Sequence, residues 1–322
     1  MNREWLILCF LVIIVLLSGC GVLDISQGGN YTPEESDEAL KFDYEITGRV
    51  LPGQVINMKV HLTNQVKDDV SDVKLRITDF YGLKLISQIC ASGKPLENPS
   101  QDDKSICGFV SDKCGCEFSS IPSFDDKEIN LIFKVPTSDE IAKIGRELEP
   151  EFTITYDYHG ETNYLIPIIK SDERSTTAKI EKTQTKGPIH VDIERGFTSS
   201  SDDWERNGSQ FSIVMRVNDV LNSQSDVEIF RDNFTIVLNS YLGKSSEPGI
   251  LCDFDPIRID AQGNKYYKPY YNITLPMKTP IVCALEAYNE QAPWVYGTIK
   301  VNYYYTYKIV KTERIDVETV IA

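Results

Sequence analysis

The chain is poor in histidine, poor in positive charge relative to negative, and without the usual catalytic signatures. Each shortage excludes something. Only His61, His159 and His190 occur in 322 residues. None stands in a His-Glu-x-x-His pair, which excludes the helical zinc-hydrolase site. No Gly-x-Ser-x-Gly elbow occurs either. His61 and His190 fall inside alternating segments, and His159 precedes a glycine read as a turn. All three are read as ordinary polar positions, so the chain is expected to be no enzyme and to need no cofactor.

Lysine and arginine number 33 against 48 acidic residues, a net charge of −15 with a pI near 4.7. Such a surface repels phosphate backbones, so nucleic acid is excluded as a partner. Binding of anionic lipid through a basic face is excluded on the same ground. The acids Asp253, Asp255 and Asp260, and Asp202, Asp203 and Glu205, lack helix-loop-helix calcium spacing and are read as solvated. No metal site is expected. Gly243-Lys244-Ser245 has the ending of a phosphate loop, but Leu238 holds the place of its earlier glycine.

What the chain does have begins at its start. Arg3 precedes an apolar run from Trp5 to Leu17, closed by Leu17-Ser18-Gly19-Cys20. Thirteen residues are short for a span of about 20. The pattern resembles a prokaryotic lipoprotein signal. The resemblance implies cleavage before Cys20 and acylation of that cysteine. Reading on to Leu23 gives 19 residues, so an uncleaved anchor over 1–19 and beyond stays open, as does plain secretion. Each reading puts the rest on the extracytoplasmic side of the cell membrane, with that membrane as the first partner. Residues 20–40 are Gly-, Ser- and acid-rich and read as a flexible tether.

From Lys41 onward, period-two alternation dominates. Phe42, Tyr44 and Ile46 alternate with polar residues, as do Val55–Leu62, Val73–Ile77, Ile129–Val135 and Phe152–Tyr158. Thr137 before Asp139 and Glu140, with Ile141, Ile144 and Leu148, predicts one short helix ended by Pro150. Residues 41–170 form a first module, 171–188 a polar linker with a strand near Ala178–Lys182, and 189–322 a second module. Phe211–Val217 parallels Val55–Asn64, and Phe234–Leu238 parallels Val73–Thr78. Tyr271–Pro276 is matched to Ile129–Pro136, Ile281–Tyr288 to Phe152–Tyr158, and Trp294–Val301 to Tyr164–Ile169. The last strand runs Val301–Ile309, and the apolar alternation of 311–322 offers an edge to a protein partner or a cover for its own sheet.

The fold class is therefore all-β: two tandem antiparallel sandwiches after the N-terminal hydrophobic segment, with one short helix in the first module. The pattern is similar to immunoglobulin-like modules of prokaryotic surface proteins. Val50-Leu51-Pro52-Gly53 leading into Leu62-Thr63-Asn64 carries that resemblance. It implies a scaffold or binding role and brings no catalytic residue with it. The leading expectation is a non-enzymatic, membrane-tethered surface protein acting in adhesion, envelope structure or complex assembly. The alternative is a surface module binding carbohydrate or peptide.

Eight cysteines occur. Cys9 lies in the apolar run, and the six after Cys20 predict disulfides outside the cytoplasm. Cys252 pairs with Cys283. Cys90, Cys107, Cys114 and Cys116, in a loop over 90–116, leave two pairings open: 90–114 with 107–116, or 90–116 with 107–114. Tyr270 and Trp294, within a tyrosine-rich region, are candidates for stacking on a ligand. Asn207, Asn233 and Asn272, like Asn30, head Asn-x-Ser/Thr triplets and are candidate glycosylation sites.

Overall fold

A computed structural model describes residues 35–96, 115–174, 176–196, 203–221, 227–244 and 252–318. Cys9, Cys20, Asn30, Cys107, Cys114 and Asp202 lie outside these, as do the N-terminal apolar run and most of the tether. The described chain is mostly β. In order it forms β1 Leu40–Thr47, β2 Val55–Asn64, β3 Val70–Asp79, β4 Lys84–Cys90, β5 Lys94–Pro95, β6 Gly115–Ile121, β7 Asp126–Lys134, helix α1 Ser138–Ile144, β8 Glu147–Leu148 and β9 Glu151–Ile169. The second half forms β10 Glu181–Gln184, β11 Ile189–Arg195, β12 Glu205–Arg206, β13 Gln210–Asp219, β14 Glu228–Ile229, β15 Phe234–Leu238, β16 Leu242–Lys244, β17 Phe254–Ile259, β18 Lys265–Pro269, β19 Ile273–Thr274, β20 Ile281–Ala287, β21 Trp294–Thr312 and β22 Ile315–Asp316.

Alternation decides which side chains go inward. In β2, Ile56, Met58, Val60 and Leu62 are buried; in β13, Phe211, Ile213, Met215 and Val217 are. Period two puts each set on one face, and burial of that face drives the sheets together. Two four-stranded sheets result, ordered β1-β2-β7-β4 in the first half and β11-β13-β20-β16 in the second. A third sheet takes strands from both halves, in the order β17-β18-β15-β21-β9-β3-β6-β5, with β10 and β12 also on β9.

The joint in that third sheet is the long pair β9 and β21. They run antiparallel from Glu151 beside Thr312 to Ile169 beside Trp294 without a break in register. The expected modules are thus joined edge to edge, and from Glu35 on the chain forms one compact unit. The stretch 171–188 does not separate two bodies, and part of it, β10, pairs with β9.

The inward face of this seam is tyrosine. Tyr156 and Tyr158 on β9 face Tyr303, Tyr305 and Tyr307 on β21, all buried. Three hydroxyls donate to the backbone or side chains of 186–219: Tyr303 to the Ile189 carbonyl at 3.0 Å, Tyr307 to Asp219 Oδ1 at 3.0 Å, and Tyr158, from the first half, to the Lys186 carbonyl at 2.5 Å. Burial pushes the phenols of Tyr156, Tyr158, Tyr303 and Tyr305 up, Tyr303 to about 12. Gly160, read as a turn after His159, instead sits inside β9 opposite Tyr303. A Cβ there would lie 2.2 Å from the Tyr303 ring, so the glycine makes room for the aromatic.

Two further expectations are corrected. The predicted helix is shorter than its apolar spacing implied. It ends at Gly145, whose φ of +99° suits glycine, and Leu148 pairs in β8 with Ile315 of β22. The repeat holds for β2 with β13 and for β3 with β15, but shifts afterwards. β20, Ile281–Ala287, takes the place beside β13 that β7 takes beside β2. The long β21 matches β9, and Tyr271–Pro276 supplies only the two-residue β19. Alternation marks a strand but not its neighbour, so one extra short strand displaced the match.

Candidate functional site

One described disulfide ties sheet to sheet, and the other joins two neighbouring segments whose cysteines already pair as an antiparallel β-bridge. Cys90, at the end of β4, bonds Cys116 on β6, and Cys252, just before β17, bonds Cys283 on β20. Of the two pairings left open, the structure shows the one that contains Cys90–Cys116. Each cross-link limits how far its two cysteines part in the unfolded chain.

Tyr270 and Trp294 do not meet. Tyr267 lies beside Ile236, which lies beside Val301, so Tyr270 sits near the level of Tyr304. Trp294 is ten positions away along β21, roughly 30 Å at about 3.3 Å per residue. Each is partly exposed, at 45% and 42%. Trp294 stands edge-on to Tyr296 at 5.2 Å, and the Tyr296 hydroxyl donates to Glu181. Tyr267 is core, packed on Phe254. These aromatics form no common platform.

The candidate glycosylation sites differ. Asn272 is exposed but occupied: its Nδ2 donates to Glu228 Oε1 and its Oδ1 accepts from the Arg231 N–H, both at 2.9 Å. Asn207 Oδ1 accepts from the Asn289 N–H at 2.8 Å. Asn233 is exposed. The acids near Cys252 have structural partners: Asp253 accepts from the Val282 N–H, Asp255 pairs with Arg231, and Asp260 accepts from two N–H groups of its own turn. Glu205 is buried against Arg195.

The described tail turns onto its own fold. Ile315 and Val317 are buried, the Glu318 N–H donates to the Val50 carbonyl, and Glu318 pairs with Arg49. Residues 35–40 are seated too. Ala39 and Leu40 are buried, and Asp37 lies 3.3 Å from Lys186 Nζ and 3.2 Å from His190 Nε2.

The concave feature with the most chemistry lies on the outward face of the seam. It is a cleft of about 480 Å³ whose lining comes from both halves. Outward residues of β9 and β21 form its floor: Asp157 beside Thr306 and His159 beside Tyr304. The His159 and Tyr304 rings stack at 4.4 Å with 17° between their planes. Tyr304 is 54% exposed, and Phe230, from the loop after β14, is 55% exposed. Asp69 enters from the loop before β3, and Glu228 from β14. Asp157 Oδ1 accepts from the Thr306 hydroxyl at 2.5 Å, Asp69 Oδ1 from the Ser123 N–H at 3.2 Å, and Glu228 Oε1 from Asn272. His159 Nε2 is shielded from solvent and has no hydrogen-bond partner. Further along the same face, Lys300 and Asn163 bond Glu161. Burial pushes that carboxyl up, and the two hydrogen bonds outweigh it and hold the group below its ordinary value.

Sequence reasoning missed this site. His159 looked like a residue before a turn, and Phe230 and Asp69 lie in connections without periodicity. The one available signal was the outward set on the two longest strands, which only the seam brings side by side.

The described residues define a mostly β protein with two disulfides and a cleft at the joint of its halves. No protein-family model matches the chain, and no curated protein matches it.

Proposed function

We propose that the chain is a non-enzymatic, membrane-tethered surface protein that acts in adhesion, envelope structure or complex assembly, and that each half is an immunoglobulin-like sandwich. The two described disulfides carry this reading. Such bonds persist in oxidising compartments, outside the cytoplasm. The apolar run ending in Leu17-Ser18-Gly19-Cys20 supplies the anchor, through acylation of Cys20. The sheet orders support the modules. β1-β2-β7-β4 and β11-β13-β20-β16 follow the A-B-E-D order, with β3 and β9, or β15 and β21, in the C and F places. The edge place next to each F strand is filled by the F strand of the other half.

The anchor is tested by expressing Cys20→Ala, followed by membrane fractionation and intact mass. Loss of the acyl mass and release from the membrane are expected. An unchanged mass and location refute acylation, and hydrolytic turnover by the purified chain refutes the non-enzymatic reading.

A second reading is binding of carbohydrate or peptide at the surface. The seam cleft, and not the separated pair Tyr270 and Trp294, favours it.

A further inference from the structure

The cleft on the seam combines three features that bear on one class of ligand. Its volume of about 480 Å³ suits a small organic group. Its aromatic groups are accessible: His159 covers one face of Tyr304, yet Tyr304 and Phe230 each leave more than half their surface to solvent. Its carboxylates are uncompensated. Among the described residues no lysine or arginine lies within ion-pair distance of Asp69, Asp157 or Glu228, and neither lysine nor arginine lines the cleft. Elsewhere on the same sheet acids do find bases, as Glu161 finds Lys300 and Asp255 finds Arg231.

Aromatic faces carry negative quadrupole potential and attract cations, best when a carboxylate shares the contact. A neutral sugar would use the rings but leave three charges unmatched. An anion would be repelled. We infer that the seam cleft binds an organic cation, an ammonium or guanidinium group on a short aliphatic stem, with the stem against Tyr304 and Phe230 and the charge toward Asp157, Asp69 and Glu228. The source is either a free amine or a basic side chain of a peptide. The inference rests on the second reading, surface binding, and is independent of the anchor.

The test is calorimetric titration of the full chain in non-ionic detergent at low salt. The free probes are spermidine and N-acetyl-arginine amide, and the peptide probe is a short segment with one central arginine. N-acetyl-leucine amide and maltose are the controls. Saturable one-to-one binding of a cationic probe is expected, weakened several-fold by added salt and at least tenfold by Tyr304→Ala, Phe230→Ser or the double change Asp157→Asn with Glu228→Gln. The two amides keep the acceptor oxygens for Thr306 and Asn272, so they remove charge and spare the hydrogen bonds. An unchanged circular-dichroism spectrum qualifies each variant, and Phe230→Ser replaces Tyr304→Ala if the latter fails to fold. Tighter binding of the peptide than of N-acetyl-arginine amide assigns a protein source, and the reverse assigns a free amine. No saturable binding of any cationic probe overturns the inference. So does binding that the charge-removing pair leaves unchanged, or maltose binding at equal strength. Failure here leaves the membrane location of the Cys20→Ala protein untouched, so the two proposals fail separately.

Discussion

At the scale of single residues, the seam depends on what is missing at Gly160. The Tyr303 ring occupies the space a side chain would take, 2.2 Å from the position of a Cβ. Filling that space forces the ring or the strand to move, a cost of about 1–3 kcal/mol for overpacking. Gly160→Ala is therefore expected to lower the thermal midpoint, read by circular dichroism, while Gly48→Ala, whose added Cβ meets nothing, tests only its own turn. An unchanged midpoint for Gly160→Ala would show that Tyr303 relaxes freely. Residue-level reading of the sequence succeeded where one residue carries its own geometry. Thr137, Asp139 and Glu140 announced a helix start because capping is local. His159 and Gly160 were misread because a glycine in a strand and a glycine in a turn look alike until the cross-strand neighbour is known.

At the scale of elements, α1 is held at its start by one carboxylate. Glu140 accepts from the Thr137 N–H at 2.8 Å and from its hydroxyl at 3.0 Å, and pairs with Lys84 at 3.2 Å. The Thr137 backbone bond first, and Lys84 next, hold the Glu140 carboxyl down to about 2. A group depressed in the folded state adds stability that is full above its unfolded value and is lost as pH falls through the folded one. The helix start is thus expected to loosen between roughly pH 4.5 and pH 2. Amide exchange of the first turn should rise across that window, and Glu140→Gln should flatten the response. A response of equal size in the variant would assign it to other carboxylates. The strands themselves were legible because burial on one face enforces period two, as β2 and β13 show. Their order was not: β20 and β21 each read correctly as strands and were matched one place off, since alternation names a face and leaves the neighbour unspecified.

At the scale of the whole molecule, each half owns one four-stranded sheet outright and shares the third. β9 would expose nineteen residues of unpaired edge without β21, and β21 the same without β9. An edge of that length is an aggregation hazard. Residues 35–178 and 179–322 expressed separately are expected to be insoluble or unfolded, and co-expressed to recover a one-to-one complex, measured by size exclusion. Two soluble, folded halves would show the seam to be dispensable. The cleft follows the same logic. Asp69 belongs to one half and Phe230 to the other, so no local pattern could have announced a site that exists only after they join.

The seam also sets a timetable. Ile169 waits for Trp294 and Glu151 for Thr312, partners divided by nearly the whole second half of the chain. Pairings of such range come late and slowly, because loop closure must be met before contacts reward it. The first half therefore emerges with one edge of its longest strand unpaired, and that edge stays open until β21 arrives. The third sheet is complete only once residues 294–312 are in place, so whatever covers β9 in the interval guards its open edge.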